Sequence, residues 1–101
     1  FTRAKSFDTF CPLGPVIQTN FEQNPELGIK CYVNDELKQD GNTKDMIFSV
    51  GEILEFVSSI MTLLPGDVVL TGTPEGVSKV QPGDEIKIEI ETIGTLINPV
   101  K

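Results

Sequence analysis

The sequence predicts an α+β fold, mostly β with one packed amphipathic helix, on three observations. Residues 85–91 alternate apolar and charged side chains without a break, with Ile86, Ile88 and Ile90 on one face and Glu85, Lys87, Glu89 and Glu91 on the other. That is the pattern of a half-buried strand with a wet outer face. A second alternating run, Ile29, Cys31 and Val33 against Lys30 and Tyr32, meets Asn34-Asp35 where a two-residue hairpin turn belongs. Only residues 49–64 carry helical periodicity. A doubly wound parallel sheet needs helices between successive strands, and this chain lacks that rhythm.

The elements follow in order. Residues 1–17 carry Phe7, Phe10, Val16 and Ile17 but are interrupted by Pro12, Gly14 and Pro15. They read as a strand, a tight bend and the start of another extended piece. Residues 18–27 are polar, with Asn24-Pro25 as a turn signal, and the hairpin occupies 28–40. Asp35 is less at ease than glycine at positive φ, so the hairpin turn either carries strain or opens into a longer loop. A polar connector, Asn42-Thr43-Lys44-Asp45, leads to the helix. Ser49 and Glu52 have the spacing of a capping box. Ile53, Phe56, Val57, Ile60, Met61 and Leu64 form one apolar stripe, which predicts that Ile60 is buried, and Pro65-Gly66 ends the helix. Pro65-Gly66-Asp67 recurs as Pro82-Gly83-Asp84, each a type II turn in which proline sets the first corner and glycine takes the second. The turns feed strands at 68–70 and 85–91, and a last extended piece runs over 92–100.

Bulk properties narrow the function. With 101 residues the chain makes one domain with a modest core. Eight basic against fifteen acidic residues give a net charge of −7, which repels phosphates and anionic lipid, so neither nucleic acid nor membrane is expected as a partner. No apolar run approaches the roughly 20 residues that span a bilayer, and no signal-peptide pattern opens the chain. Cys11 and Cys31 lack C-x-x-C spacing and sit among apolar neighbours. They read as two buried thiols of a cytoplasmic protein rather than a disulfide. Histidine is absent, which excludes Ser-His-Asp and Cys-His catalysis and histidine-ligated metal from this chain's own residues.

Residues 65–76 hold the strongest chemical signal: a turn and a short apolar strand deliver Thr71 and Thr73 into a loop with Gly72, Pro74 and Gly76. Small residues let such a backbone approach a ligand, and the two hydroxyls suit a carboxylate or carbonyl; equally, they suit closing the loop on itself. Lys5, in Ala-Lys-Ser-Phe-Asp, is either an ammonium that stabilises developing negative charge or a surface lysine paired with Asp8. Glu89 and Glu91 share a strand face, but Lys87 interleaves and no third ligand is evident, so they read as solvated. Glu52 and Glu55 receive the same reading. The loop is no phosphate cradle, since the Gly-Lys-Ser/Thr ending is missing.

Taken together, Ala4-Lys5-Ser6-Phe7-Asp8, Leu13-Gly14-Pro15, Gln39 through Asn42-Thr43-x-Asp45-Met46-Ile47-Phe48, and Leu64-Pro65-Gly66-Asp67 into Thr71-Gly72-Thr73-Pro74-x-Gly76-Val77 resemble the fumarylacetoacetate hydrolase family. Pro82-Gly83-Asp84 and Ile93-Gly94-Thr95-Leu96 fit too, and the match runs over essentially the whole chain. Asn34-Asp35 departs from the Asn-Gly that relatives often carry. The resemblance implies a mixed β-roll or sandwich with a helix, assembled as a homodimer. It implies a metal-dependent enzyme of catabolism, including aromatic compound degradation, that acts on acylpyruvate-like or 2-oxo-dicarboxylate substrates. Mg²⁺ or Mn²⁺ would chelate the oxo-acid end and polarise its carbonyl. Hydrolysis, isomerisation and decarboxylation would share an enolate-like intermediate. Lys5 matches the family's site lysine and Thr73 its substrate-touching threonine, while Thr71 and Gly72 line the same loop.

The family's metal ligands, an E-x-E pair and a later aspartate, belong upstream of Lys5, as does the Glu-His pair of its hydrolytic members. Residues 1–101 are therefore expected to be the C-terminal part of a longer catalytic domain, inactive alone and without a metal site of its own. The competing expectation is a non-enzymatic dimerisation or interaction domain on the same scaffold. A weaker one is a roll that only binds a carboxylate ligand through Lys5 and Thr73.

Overall fold

The structure is a computed structural model that describes residues 2–20, 22 and 24–101. Phe1, Phe21 and Gln23 lie outside the described residues, and with them parts of the opening segment and of the polar stretch 18–27. Four strands, β1 (Gly28–Val33), β2 (Glu36–Asn42), β3 (Glu85–Ile90) and β4 (Gly94–Pro99), form one antiparallel sheet in the order β2-β1-β3-β4. The helices are a single turn, α1 (Thr2–Lys5), and the longer α2 (Val50–Ile60), with a 3₁₀ turn at Thr43–Asp45 before α2.

The hairpin forms as read. Asn34 and Asp35 both take left-handed conformations, φ 49° and 63°, in a two-residue turn. Asparagine tolerates this region, and its side chain offsets the strain by reaching across the sheet. Asn34 Nδ2 donates to Asp84 Oδ1 at 2.7 Å, and Asn34 Oδ1 accepts from Glu85 N at 2.9 Å. Asp35 instead pairs with Lys87 Nζ at 3.4 Å. That ammonium also lies 4.5 Å from the Tyr32 ring centroid and 3.6 Å from Glu89. Partial desolvation of Lys87 opposes its charge, but Asp35 and Glu89 outweigh it and hold its pKa above the ordinary value.

One irregularity was not read from the sequence. Cys31 pairs with Gln39 but Tyr32 with Leu37, so Lys38 is an extra residue on β2. This bulge bends the strand and re-aims its side chains.

Helix α2 opens with the full capping box: Ser49 Oγ accepts from Glu52 N at 3.2 Å, and Glu52 Oε2 accepts from Ser49 N at 2.8 Å. That backbone bond, then the Ser49 hydroxyl, holds the Glu52 carboxyl below its ordinary pKa. The helix stops earlier than the stripe suggests, with Met61 already extended. Ser58 and Ser59 donate to the carbonyls of Glu55 and Phe56, a back-bonding that weakens the last turn.

Several expectations are corrected. The opening segment is not a strand; it is α1, then a bend in which Phe10 N donates to Phe7 O and the two rings lie 5.6 Å apart. Residues 68–70 join no ladder among the described residues, and Val68 and Leu70 are exposed. Ile60 is 63% exposed rather than buried, because among the described residues nothing covers that side of α2. No described side chain is fully buried, as expected of one sheet with one helix beside it. Cys31 is half-buried, which raises its thiol pKa, but Cys11 is exposed in the bend; both are free. Among the described residues no helix is long and apolar enough to cross a membrane.

Candidate active site

The two Pro-Gly-Asp turns set the course of the hydroxyl loop. In the first, Asp67 N donates to Leu64 O at 3.0 Å, Asp67 Oδ2 accepts from Leu64 N at 2.8 Å, and Gly66 has φ 96°. The chain then runs without regular structure to Thr71 and crosses the outer edge of β2. Contact there is close enough to require glycine. A Cβ on Gly76 would collide with the Lys38 carbonyl, the group displaced by the bulge, and one on Gly41 would lie 2.9 Å from Pro74 Cβ. Gln39, beside the bulge, extends its amide under the loop: Nε2 donates to Pro74 O at 2.6 Å, Thr73 Oγ1 at 3.0 Å and Glu75 O at 3.3 Å.

The loop and the connector border a half-open cavity of about 640 Å³. Its polar lining comes from Thr71, Gly72, Thr73 and Asn42 together with the carboxylate-bearing Asp40, Asp45 and Glu75, and its apolar lining from Ile29, Met46, Phe48 and Ile53. Thr43 pins the connector, its Oγ1 donating to Pro25 O at 2.6 Å and accepting from Leu27 N at 2.8 Å. Apolar walls with a few convergent hydroxyls are the usual make-up of a small-molecule site.

The structure thus brings Thr71, Gly72 and Thr73 together and leaves Lys5 out of the cavity lining. Lys5 is exposed at the end of α1, and the ion-paired lysines among the described residues are Lys30, Lys38 and Lys87. Gln39 was visible in the sequence only as a motif letter, with no role attached. Glu89 and Glu91 serve the sheet: Glu91 Oε2 accepts from Gly28 N at 2.6 Å, and Glu89 pairs with Lys87. A second hollow of about 540 Å³ around these glutamates lacks any built set of ligand groups. Among the described residues no three His, Cys, Asp or Glu side chains gather to hold a metal ion, so this chain's own donor set does not fit the divalent ion the family implies.

Comparison with known proteins gives the same direction. The family profile described as fumarylacetoacetate (FAA) hydrolase C-terminal matches residues 1–101. The 4-hydroxyphenylacetate degradation bifunctional isomerase/decarboxylase of Salmonella dublin is 43% identical over 100 residues, 97% of this chain and 23% of that protein. The crystal structure of 5-carboxymethyl-2-hydroxymuconate delta-isomerase from Mycobacterium smegmatis superposes with a TM-score of 0.92 at 48% identity, covering 97% of this chain and 39% of that one. Maleylpyruvate hydrolase from Sphingobium sp. SYK-6, solved in complex with manganese(II) ion and pyruvate, gives 0.88 at 43% identity, covering 93% and 36%. The chain spans less than half the length of the curated relatives it matches, between 23% and 43%.

Proposed function

The chain belongs to the fumarylacetoacetate hydrolase family, and from that premise we propose that it is the C-terminal part of the catalytic domain of a divalent-metal-dependent hydrolase or isomerase. Its substrates are acylpyruvate-like or 2-oxo-dicarboxylate compounds, taken through an enolate-like intermediate, in a cytoplasmic homodimer. The observation that carries this reading is that the loop hydroxyls Thr71 and Thr73 line one cavity beside apolar side chains, with Thr73 held by Gln39. The hydroxyls orient the oxo-acid oxygens, and the apolar wall keeps water from the carbon skeleton. Lys5, brought to the loop by the rest of the catalytic domain, stabilises the enolate-like charge. Mg²⁺ or Mn²⁺ is held by residues outside this chain, which by itself turns nothing over.

Full-length protein supplied with Mn²⁺ tests the proposal. Lys5→Ala and Thr73→Val should each lower kcat/KM for an acylpyruvate by about tenfold to a hundredfold, since each removes a group bound to developing charge. Wild-type turnover in both variants would overturn it.

A non-enzymatic dimerisation or interaction domain is the second reading, favoured by the uncovered apolar residues Phe56, Ile60 and Leu64 at 66%, 63% and 64% exposure. It predicts a full-length protein that associates but turns over no oxo-acid with either metal.

A further inference from the structure

We infer that Gln39 is a positioning residue that makes the Thr73 hydroxyl a one-way donor toward the ligand; the inference rests on the substrate-binding role proposed for Thr73. Gln39 stands 34 positions before Thr73 and meets it only through the fold. Its amide nitrogen faces two backbone carbonyls, Pro74 O and Glu75 O, as well as Thr73 Oγ1. Carbonyl oxygens only accept, so the nitrogen and not the oxygen of the amide must face the loop. A threonine hydroxyl has one proton and two acceptor lone pairs. With one lone pair engaged by Gln39, a group that cannot accept in return, the Thr73 proton is left for an acceptor on the cavity side. A carboxylate or enolate oxygen is such an acceptor. A hydroxyl already accepting one hydrogen bond is also polarised to donate more strongly.

The backbone explains how a strand residue comes to serve this purpose. The extra residue at Lys38 sets two positions of β2 against one of β1. Its carbonyl meets Gly76 at one end of the loop, and Gly41 meets Pro74 nearer the other. These backbone contacts place the loop. Among the described residues, Gln39 is then the side chain bonded to Thr73 Oγ1.

The test is acetylpyruvate turnover by the full-length, metal-supplied protein carrying Gln39→Leu, Gln39→Glu, Thr73→Val, or Gln39→Leu with Thr73→Val. Gln39→Leu should lower kcat/KM about tenfold or more. The same change in the Thr73→Val background should cost little more, because no hydroxyl remains to be oriented. Gln39→Glu reverses the bond: a carboxylate takes the Thr73 proton and repels the Pro74 carbonyl. Its activity should therefore recover as pH falls and the introduced carboxyl protonates, a pH profile that simple loosening of the loop would not give. Additive losses, wild-type turnover in Gln39→Leu, or a wild-type pH profile in Gln39→Glu would each overturn the inference. If Thr73→Val alone changes nothing, the substrate-binding role falls and the inference with it. If Thr73→Val is impaired and Gln39→Leu is not, only the inference falls.

Discussion

The turns at 65–67 and 82–84 share a sequence and a local geometry, yet only one is built into the sheet. Each has glycine at a φ near the other's, 96° and 94°, and in each the aspartate closes the turn twice, through its N–H and its carboxylate. Beyond that they differ. The second turn is gripped from two sides: Gly83 N donates to Val100 O at 2.9 Å, Val100 N to Asp84 O at 2.8 Å, and the Asn34 amide holds Asp84 Oδ1. The strand that follows it, β3, lies at the centre of the sheet. The first turn releases a run more apolar than β3, Val68-Val69-Leu70, that pairs with no strand among the described residues. Short-range chemistry makes the turn; partners distant in sequence decide whether a strand follows.

The largest break in that comparison should come from Gly83→Val set beside Gly66→Val. A Cβ meets nothing within 4 Å at either position, so both variants pay the same positive-φ strain, roughly 1–3 kcal/mol. In Gly83→Val it should appear as a loss of global stability in chemical denaturation, because the turn is tied to β4's exit. In Gly66→Val it should appear mainly as faster hydrogen exchange local to residues 64–70. Equal global losses would show that the first turn is integrated after all. A smaller effect is expected from Asn34→Gly, which keeps the left-handed backbone but deletes the strut to the second turn. The lost bond to the Glu85 amide should cost about 1 kcal/mol, with no counterpart at the first turn. The smallest effect is on pH dependence. The Gln81 N–H, and after it the Asn34 amide, hold the Asp84 carboxyl below its ordinary pKa. A depressed carboxylate contributes stability that is complete above its ordinary value, about 3.9, and is lost as pH falls below it toward the folded-state value. Denaturation midpoints followed downward from neutral pH should show that loss, and Asn34→Gly should shrink it.

The same division explains what was legible in the sequence. The capping box, both turns, the hairpin and the strand β3 depend on residues close in sequence, and each formed; the wet outer face expected of β3 did not, since Lys87 and Glu89 are half-buried like the isoleucines between them. The strand at 68–70, the burial of Ile60 and the strand at the opening needed partners on the other side of the fold, and none is present among the described residues. Phe7 and Phe10, read as strand residues, pack on one another instead. For the site, Thr71, Gly72 and Thr73 could be read because a small-residue hydroxyl loop signals itself locally. Gln39 could not, since its hydrogen bonds span 34 to 36 residues and depend on a bulge that alternation alone does not reveal.

The extra residue at Lys38 also bears on how the site varies over evolution. Substituting its side chain leaves its carbonyl where it is, opposite Gly76. Deleting its codon would let β1 and β2 pair without interruption and remove the backbone atom against which the hydroxyl loop rests. The site is therefore buffered against point substitution at this position and exposed to a three-nucleotide deletion, a class of change that scanning mutagenesis by substitution never samples.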